Sequence, residues 1–198
     1  MQSYDELPED LPVPLDDGAT EHLMGVRLPD RSLPSTTNRG VNPSALPDRI
    51  VIYVYPMTGR PGVALPEGWD AIPGARGCTP ESCGFRDHFA ELLDAGAGSV
   101  VGLSSQPTDY QQEVVDRLRL PYELLSDGDF AWADGLRLPT FRAAGQRFHC
   151  RLTLIVKDGV IEHVFYPVFP PDSHAADVLA WLRDNADGRS AANGTFSG

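Results

Sequence analysis

The amino-acid sequence predicts an α/β fold in which a central mixed β-sheet is flanked by helices. Residues 50–55 form a continuous apolar run rich in β-branched side chains, which is typical of a central strand buried on both faces. Downstream, strand patterns alternate with helix patterns, an order that favours parallel pairing. Two strand-like runs flank Lys157-Asp158-Gly159, which predicts an antiparallel hairpin and therefore a mixed sheet.

The segment after residue 55 predicts the other elements in order. A Gly- and Pro-rich stretch over residues 57–77 predicts a long loop, and such loops inside compact domains are usually functional or disordered. Thr79 is predicted to cap the following helix, with Pro80 at its first position and the segment from Gly96 to Gly98 ending it. The further predicted elements are a strand at 99–103, a helix at 107–118, a strand at 122–125, hairpin strands at 151–156 and 160–165, and a helix at 172–183.

Length and composition predict one domain with extensions, since a chain of 198 residues suits a single core. Residues 1–24 carry seven acidic residues and no Lys or Arg, so we expect an acidic, proline-containing arm that is loosely attached. Residues 25–186 are expected to form the domain. The tail at 187–198, rich in Gly, Ser, Ala and Asn, is expected to be disordered.

Charge and hydropathy exclude two classes of partner. The formal net charge of −12 repels polyanions, and the basic residues form no dense run that would bind phosphates. No stretch approaches the roughly 20 apolar residues that span a bilayer, and the acidic N-terminus does not match an export signal. The sequence therefore predicts a cytoplasmic protein that binds neither nucleic acid nor membrane.

Three cysteines are too few for a disulfide scaffold, so their role must lie in packing or in chemistry. Cys78 follows a Gly-rich loop and directly precedes the predicted helix start, where free backbone N–H groups and the helix dipole stabilise an anion. A thiol in such a place has a pKa below about 8.5, and Arg76 and Arg86 are near enough in sequence to strengthen the effect. Cys78 is therefore a candidate nucleophile.

Cys83 lies five residues after Cys78. In a regular helix this spacing separates the two Cα atoms by roughly 8–9 Å, whereas a disulfide needs Cα atoms about 4.4–6.8 Å apart. The spacing therefore predicts a reduced state with the helix formed and a disulfide state in which its first turn or more has unwound.

Other roles for these residues stay open at this point. A free cysteine is most often a small buried hydrophobe, and we assign that role to Cys150, predicted to lie on a strand. Cys78, Cys83 and His88 share one segment, but their spacing is wide for a zinc knuckle and no second knuckle follows. A Cys–His nucleophile pair could use any of three histidines, His88, His149 or His163.

Several segments together resemble the peroxiredoxin family, in its Q or bacterioferritin-comigratory-protein branch. The branch carries Tyr-Pro after the first core strand and then Gly-Cys-Thr-x-x-x-Cys-x-Phe-Arg-Asp, which match Tyr55-Pro56 and residues 77–87 here. Further matches follow in order at residues 102–105, 120–127 and 151–159. The resemblance covers residues 26–184 and implies a thioredoxin-like fold.

The resemblance also implies a reaction. Cys78 corresponds to the peroxidatic cysteine, Cys83 to the resolving one, and Arg151 to the arginine that lowers the thiolate pKa and holds a peroxide oxygen. Hydrogen peroxide or an organic hydroperoxide would oxidise Cys78 to a sulfenic acid, which would condense with Cys83 and be recycled by a thioredoxin-like dithiol donor. No metal or other cofactor is implied, and we expect a monomer or a homodimer.

The sequence departs from the family motif in one place. The motif has Pro seven residues and Thr three residues before the reactive cysteine, where this chain has Ala71 and Ala75. The proline corresponds instead to Pro56, displaced by an insertion of about 15 residues in the 57–77 loop. Thr58 and Thr79 are the candidates to replace the motif threonine, and both also have structural roles available as turn and cap residues.

Two rival functions use the same fold. A disulfide reductase or redox sensor would result if the inserted loop blocked peroxide from Cys78. A binding protein with an inert fold would leave Cys78 with an unshifted pKa and form no disulfide to Cys83 under mild oxidation.

Overall fold

The computed structural model describes residues 7–8 and 10–186 and confirms the predicted α/β class. The strands are β1 (Leu33–Pro34), β2 (Gly40–Val41), β3 (Arg49–Val54), β4 (Ala97–Ser104), β5 (Leu124–Ser126), β6 (Thr140–Ala143), β7 (Gln146–His149), β8 (Leu152–Lys157) and β9 (Val160–Phe165). The α-helices are α1 (Cys78–Asp87), α2 (Phe89–Asp94), α3 (Thr108–Leu118), α4 (Ala131–Leu136) and α5 (His174–Asp184). None of the helices described is long and apolar enough to cross a membrane.

The central sheet has five strands in the order β5-β4-β3-β8-β9. Strand β3 pairs in parallel with β4, and β4 with β5. On its other side β3 pairs antiparallel with β8, which continues into the antiparallel hairpin with β9. The sheet is therefore mixed, as the alternation of strands and helices and the Lys157-Asp158-Gly159 turn predict.

Both faces of the sheet are covered, which explains the continuous apolar run of β3. Its alternate residues point to opposite faces. Ile50 and Ile52 join a core under α4 and the segment 23–41, and Val51 and Tyr53 join a core under the other helices. All six β3 residues are buried, as the sequence predicts.

The helix after the long loop differs from its prediction at its start and in its middle. Helix α1 begins at Cys78 and its N-cap is Gly77, whereas Thr79 was predicted as the cap. Thr79 is buried inside the first turn. The chain also breaks at His88, so that a single predicted helix is two helices, α1 and α2.

Several elements do not follow from local patterns. Helix α4 and the hairpin β6–β7 were not predicted, because each is too short to show a clear period. Cys150 and Arg151 were predicted within a strand, but both lie between β7 and β8. Cys150 is partly buried.

The described part of the N-terminal segment lies against the domain, which differs from the loosely attached arm predicted for residues 1–24. Leu23 is fully buried in the main core. Tyr166 donates a hydrogen bond to Asp17 over 2.9 Å. The predicted tail at 187–198, residues 1–6 and residue 9 lie outside the described residues.

We predict that Gly102→Ala destabilises the fold by about 1–3 kcal/mol, the usual cost of overpacking. A Cβ at this position would lie 2.6 Å from Leu124 and from the phenol end of Tyr53. Denaturant unfolding measures the loss. Gly128→Ala is the matched control, since its Cβ would meet only ordinary contacts at 3.6 Å or more. Equal stability of the two variants would contradict the prediction.

Candidate active site

Cys78 is held at the first position of α1 by a glycine that no other residue could replace without strain. Gly77 has φ 104°, a conformation that side chains with a Cβ rarely adopt. A Cβ there would also lie 2.3 Å from Pro171 and 2.8 Å from Leu7. The tight packing around Gly77 therefore fixes where the helix starts and where its first side chain lies.

The sulfur of Cys78 is enclosed by polar groups. Arg151 donates from Nη2 to the sulfur over 3.1 Å. The Met57 backbone N–H also hydrogen-bonds the sulfur, and the thiol lies 3.6 Å from the carbonyl of Ala75. Cys78 itself is only 2% exposed. The structure thus brings together Cys78 and Arg151, which are 73 residues apart in the sequence.

Arg151 is anchored by the chain on both sides of the helix start. Its guanidinium donates to the carbonyls of Gly74 at 3.3 Å and Arg76 at 3.0 Å. Its Nη1 forms a buried ion pair with the Glu81 carboxylate. Since a buried cation is tolerated only when it is paired and hydrogen-bonded, these contacts hold the guanidinium in one place beside the sulfur.

Glu81 is the site residue that the sequence analysis missed. It lies three residues after Cys78 in α1, so both side chains project from the same face of the helix. The carboxylate is fully buried. The i, i+3 spacing from a predicted reactive cysteine was the available signal, but the acidic partner of Arg151 could be recognised only once Arg151 was placed there.

Burial dominates the electrostatics of the site. Burial raises the pKa of Cys78, while the charge of Arg151 opposes that shift. The lowered thiol pKa predicted from the helix start is therefore not found in this closed arrangement. Burial also raises the pKa of Glu81 to about 7, again opposed by Arg151. Arg151 is the group that favours the thiolate.

The other predicted cations pair elsewhere. Arg76 lies 3.4 Å from Asp70. Arg86 contacts Asp87 at 2.8 Å and donates to the carbonyl of Leu118 at 3.0 Å. The hydrogen bond to Asp87 raises the pKa of Arg86. The structure therefore assigns the contact with the Cys78 sulfur to Arg151.

Cys83 is reduced and lies on the same helix as Cys78. Both residues have helical geometry, in which a five-residue spacing separates the Cα atoms by roughly 8–9 Å. The pair cannot form a disulfide without a change in α1.

The long loop closes over Cys78. Its Trp69, on a single 3-10 turn, is 2% exposed and packs edge-to-face against Phe148 with ring centroids 4.9 Å apart. The recess beside Cys78 contains about 10 Å³ of free space and is lined by loop residues, including Met57, Leu65 and Trp69. That is about the room that one water molecule needs, so the loop and the β6–β7 hairpin limit access to the sulfur.

The two candidate threonines lie in different surroundings. Thr79 lines the recess with Cys78. Thr58 is buried and donates from its backbone N–H and hydroxyl to Gln106, at 2.9 and 3.0 Å. Pro56 is buried two residues after the end of β3 and directly precedes Met57. Of the two threonines, Thr79 is the one that lines this recess.

The histidines of the rival interpretations are engaged away from Cys78. His88 pairs with Glu91 at 2.7 Å, His163 stacks on Trp181, and His149 is buried beside Phe130. Burial raises the pKa of Cys150 to about 11. Among the described residues, no group of three or more His, Cys, Asp or Glu side chains is placed to hold a metal ion.

The chain is similar to known proteins over most of its length. Residues 23–179 match the model of the redoxin family. The peroxiredoxin Bcp of Escherichia coli K12 is 30% identical over 168 residues, covering 80% of this chain and 94% of that protein. The chloroplastic peroxiredoxin Q of Oryza sativa subsp. japonica is 27% identical over 162 residues, which are 80% of this chain and 66% of that protein.

A solved structure extends the similarity to the backbone. The crystal structure of peroxidoxin BcpB from Mycobacterium tuberculosis superposes with a TM-score of 0.66 at 28% sequence identity. The match covers 82% of this chain and 97% of that one.

Arg151→Gln is predicted to raise the pKa of Cys78 further, because the cation that favours the thiolate is removed. The midpoint of the pH profile for alkylation of Cys78 should move up by about one unit, a tenfold loss of thiolate below the midpoint. Mass spectrometry of the Cys78 peptide follows alkylation. Arg183→Gln on the surface is the control, and an unmoved midpoint in Arg151→Gln would contradict the role assigned to Arg151.

Glu81→Gln is predicted to flatten the pH dependence of stability. A carboxyl whose pKa is raised by folding contributes stability that is full below its unfolded pKa and is lost as pH rises through its folded pKa. The free energy of unfolding of the wild type should therefore fall relative to Glu81→Gln between pH 4.5 and about 7. Denaturant titrations across this range test it, with Glu113→Gln as the control. A constant difference would contradict the raised pKa.

Proposed function

We propose a catalytic cycle for this chain on the premise that it belongs to the peroxiredoxin family, in its peroxiredoxin Q/Bcp branch. The function that this membership supports is thiol-dependent reduction of hydrogen peroxide or an organic hydroperoxide. One observation carries the assignment to residues, namely the buried guanidinium of Arg151 at 3.1 Å from the Cys78 sulfur. An anchored cation beside a thiol at a helix start favours the anion that attacks a peroxide.

In the first step the Cys78 thiolate attacks one oxygen of the peroxide. The sulfur–oxygen bond forms as the oxygen–oxygen bond breaks, so Cys78 is oxidised to a sulfenic acid and the peroxide is reduced. The departing oxygen leaves with negative charge, takes a proton and becomes water or an alcohol. Arg151 and the N–H groups at the start of α1 stabilise that charge as it develops.

The second step forms the disulfide. The Cys83 sulfur attacks the Cys78 sulfur, the sulfur–oxygen bond breaks, and the oxygen leaves as water after taking a proton. A thioredoxin-like dithiol then reduces the disulfide and returns both thiols. Because both cysteines lie on α1 in the reduced protein, this step needs α1 to unwind locally.

Substrate contact is assigned to the residues around the recess. Thr79 lies beside Cys78 in the recess lining and takes the part of the missing motif threonine. Pro56 shapes the turn after β3. The hydrogen bond from the Thr58 N–H to Gln106 holds the backbone next to Met57 in place. Ala75 leaves the position of the motif threonine without a hydroxyl.

A second candidate function, a redox sensor or disulfide reductase, is favoured by the closed recess and by the buried thiol with its raised pKa. The two functions differ in rate. A peroxidase loses its Cys78 thiol within a rapid mixing experiment at micromolar peroxide, whereas a sensor blocked by the 57–77 loop does so only slowly. Rapid thiol titration with and without peroxide separates them.

The setting of the reaction stays a prediction from sequence. We place the protein in the cytoplasm as a monomer or homodimer that binds neither nucleic acid nor membrane. The domain is assigned to residues 25–186, with the inserted loop at 57–77.

We predict that Cys78→Ser abolishes thiol-dependent peroxide consumption. Cys83→Ser should still consume about one equivalent of peroxide, because the first step remains, and should then stop as a sulfenic acid that no resolving thiol removes. Peroxide assays measure turnover, and mass spectrometry detects the loss of two hydrogens between Cys78 and Cys83 in the wild type.

Cys150→Ser is the matched control and should keep full turnover, since Cys150 is assigned a packing role. Full activity in Cys78→Ser would overturn the proposed function. Full turnover in Cys83→Ser would overturn only the resolving role.

A further inference from the structure

Ser82, the residue directly before Cys83, is tied to two buried tyrosines. The Tyr122 hydroxyl donates to the Ser82 carbonyl over 2.8 Å. The Ser82 hydroxyl lies 3.2 Å from the Tyr53 hydroxyl, which lies 3.2 Å from the Tyr122 hydroxyl. Ser82 and Tyr53 are fully buried and Tyr122 nearly so. Three hydroxyl groups therefore form a ring that begins and ends on one residue of α1.

The donors of this ring can be assigned. Tyr53 donates to Tyr122, and Tyr122 donates to the carbonyl of Ser82, so the Ser82 hydroxyl is left as the donor to Tyr53. Each hydroxyl then donates once, and hydrogen bonds in such a chain polarise one another. The carbonyl oxygen has two lone pairs, so it can accept from Tyr122 without giving up its helical bond.

The two tyrosines are fixed to parts of the fold other than α1. Tyr53 lies next to the last residue of β3, and its phenol end fills the space left by the absent side chain of Gly102. Tyr122 lies just before β5. Their rings also pack on the two helices, Tyr53 stacking on Phe85 at 4.5 Å and Tyr122 contacting Phe89 at 5.8 Å. The ring thus joins the middle of α1 to the sheet.

The position of Ser82 beside Cys83 connects this ring of hydroxyl groups to the second step, formation of the disulfide. Cys83 cannot reach Cys78 while residues 78–83 stay helical. Ser82 is the neighbour of Cys83, so a movement that carries Cys83 toward Cys78 carries Ser82 away from both tyrosines. The hydrogen bonds between Ser82 and the tyrosines therefore oppose that movement.

We propose that the Ser82–Tyr53–Tyr122 hydroxyl ring is a latch on α1 that sets how fast Cys83 reaches oxidised Cys78. Tyr122 and Tyr53 are positioning residues and do not touch the reacting atoms. This proposal rests on the proposed function. The latch holds α1 folded while Cys78 attacks peroxide. A stronger latch slows condensation of the sulfenic acid with Cys83 and so gives a second peroxide more time to oxidise it to sulfinic acid.

Tyr122→Phe tests the latch, because it removes the hydroxyl and keeps the ring that packs on Phe89. We expect disulfide formation about threefold to tenfold faster, the factor that corresponds to one intramolecular hydrogen bond. Sulfinic acid at high peroxide should decrease by a similar factor, while the rate of the first oxidation stays unchanged. Stopped-flow fluorescence and mass spectrometry measure the two products. Tyr53→Phe should act in the same direction.

Tyr166→Phe is the matched control, since its hydroxyl bonds to Asp17 and not to α1. It should leave both rates at wild-type values. An unchanged or slower disulfide step in Tyr122→Phe would overturn the latch, as would an equal change in the first oxidation step.

Hydrogen exchange of the reduced protein, with no peroxide present, keeps the two proposals separable. Amides of 78–87 should exchange about threefold to tenfold faster in Tyr122→Phe than in the wild type. The amides of α3 in Tyr122→Phe, and the amides of 78–87 in Tyr166→Phe, should exchange at the wild-type rate. If exchange over 78–87 is faster in Tyr122→Phe but the wild type shows no peroxidase activity, the proposed function is wrong while the latch is still supported. Unchanged exchange over 78–87 would overturn the latch whatever the activity.

Discussion

The buried ion pair between Arg151 and Glu81 is the interaction on which the site depends. An unpaired guanidinium or carboxylate in this position would carry a desolvation cost of several kcal/mol per ion, by order of magnitude. Pairing the two charges, with carbonyls from 74–76 completing the guanidinium's hydrogen bonds, ties three separate parts of the chain together. The end of the long loop, the first turn of α1 and the segment before β8 meet at this pair, and Cys78 lies beside it.

The same enclosure that fixes the geometry works against the charge that the chemistry needs. Burial favours the neutral thiol of Cys78 and the neutral acid of Glu81, and only Arg151 and nearby N–H groups favour the thiolate. Burial and Arg151 therefore act in opposite directions on the charge of Cys78. A bound peroxide oxygen, or a shift of the 57–77 loop, that changes the hydration of the sulfur would change the reactivity of Cys78. The packing of Trp69 on the β6–β7 hairpin makes that loop part of the electrostatic environment.

The sequence predicts most of the central sheet because its strands are long and apolar or are bounded by clear turns. The run at 50–55 and the hairpin around Asp158 are confirmed, and so is the peroxiredoxin resemblance. The predicted start of α1 was wrong by two residues, because Thr79 suits a cap chemically but Gly77 is the residue able to adopt φ 104° between Leu7 and Pro171. Short elements such as α4 and β6 were missed because their existence depends on what they pack against.

By itself the sequence determined the α/β class, the reactive segment around Cys78, and the need for α1 to unwind before Cys83 can pair with it. Each of these follows from local spacing or from a motif that can be recognised in the sequence alone. The tertiary structure alone decided that Arg151 contacts the sulfur, that Glu81 is its partner, that the loop closes over Cys78, and that two tyrosines hold Ser82. Arg151 lies 73 positions from Cys78 and 70 from Glu81 in the sequence, and Ser82 lies 29 and 40 positions from its two tyrosines. Such distances in sequence carry no signal until packing brings the side chains together.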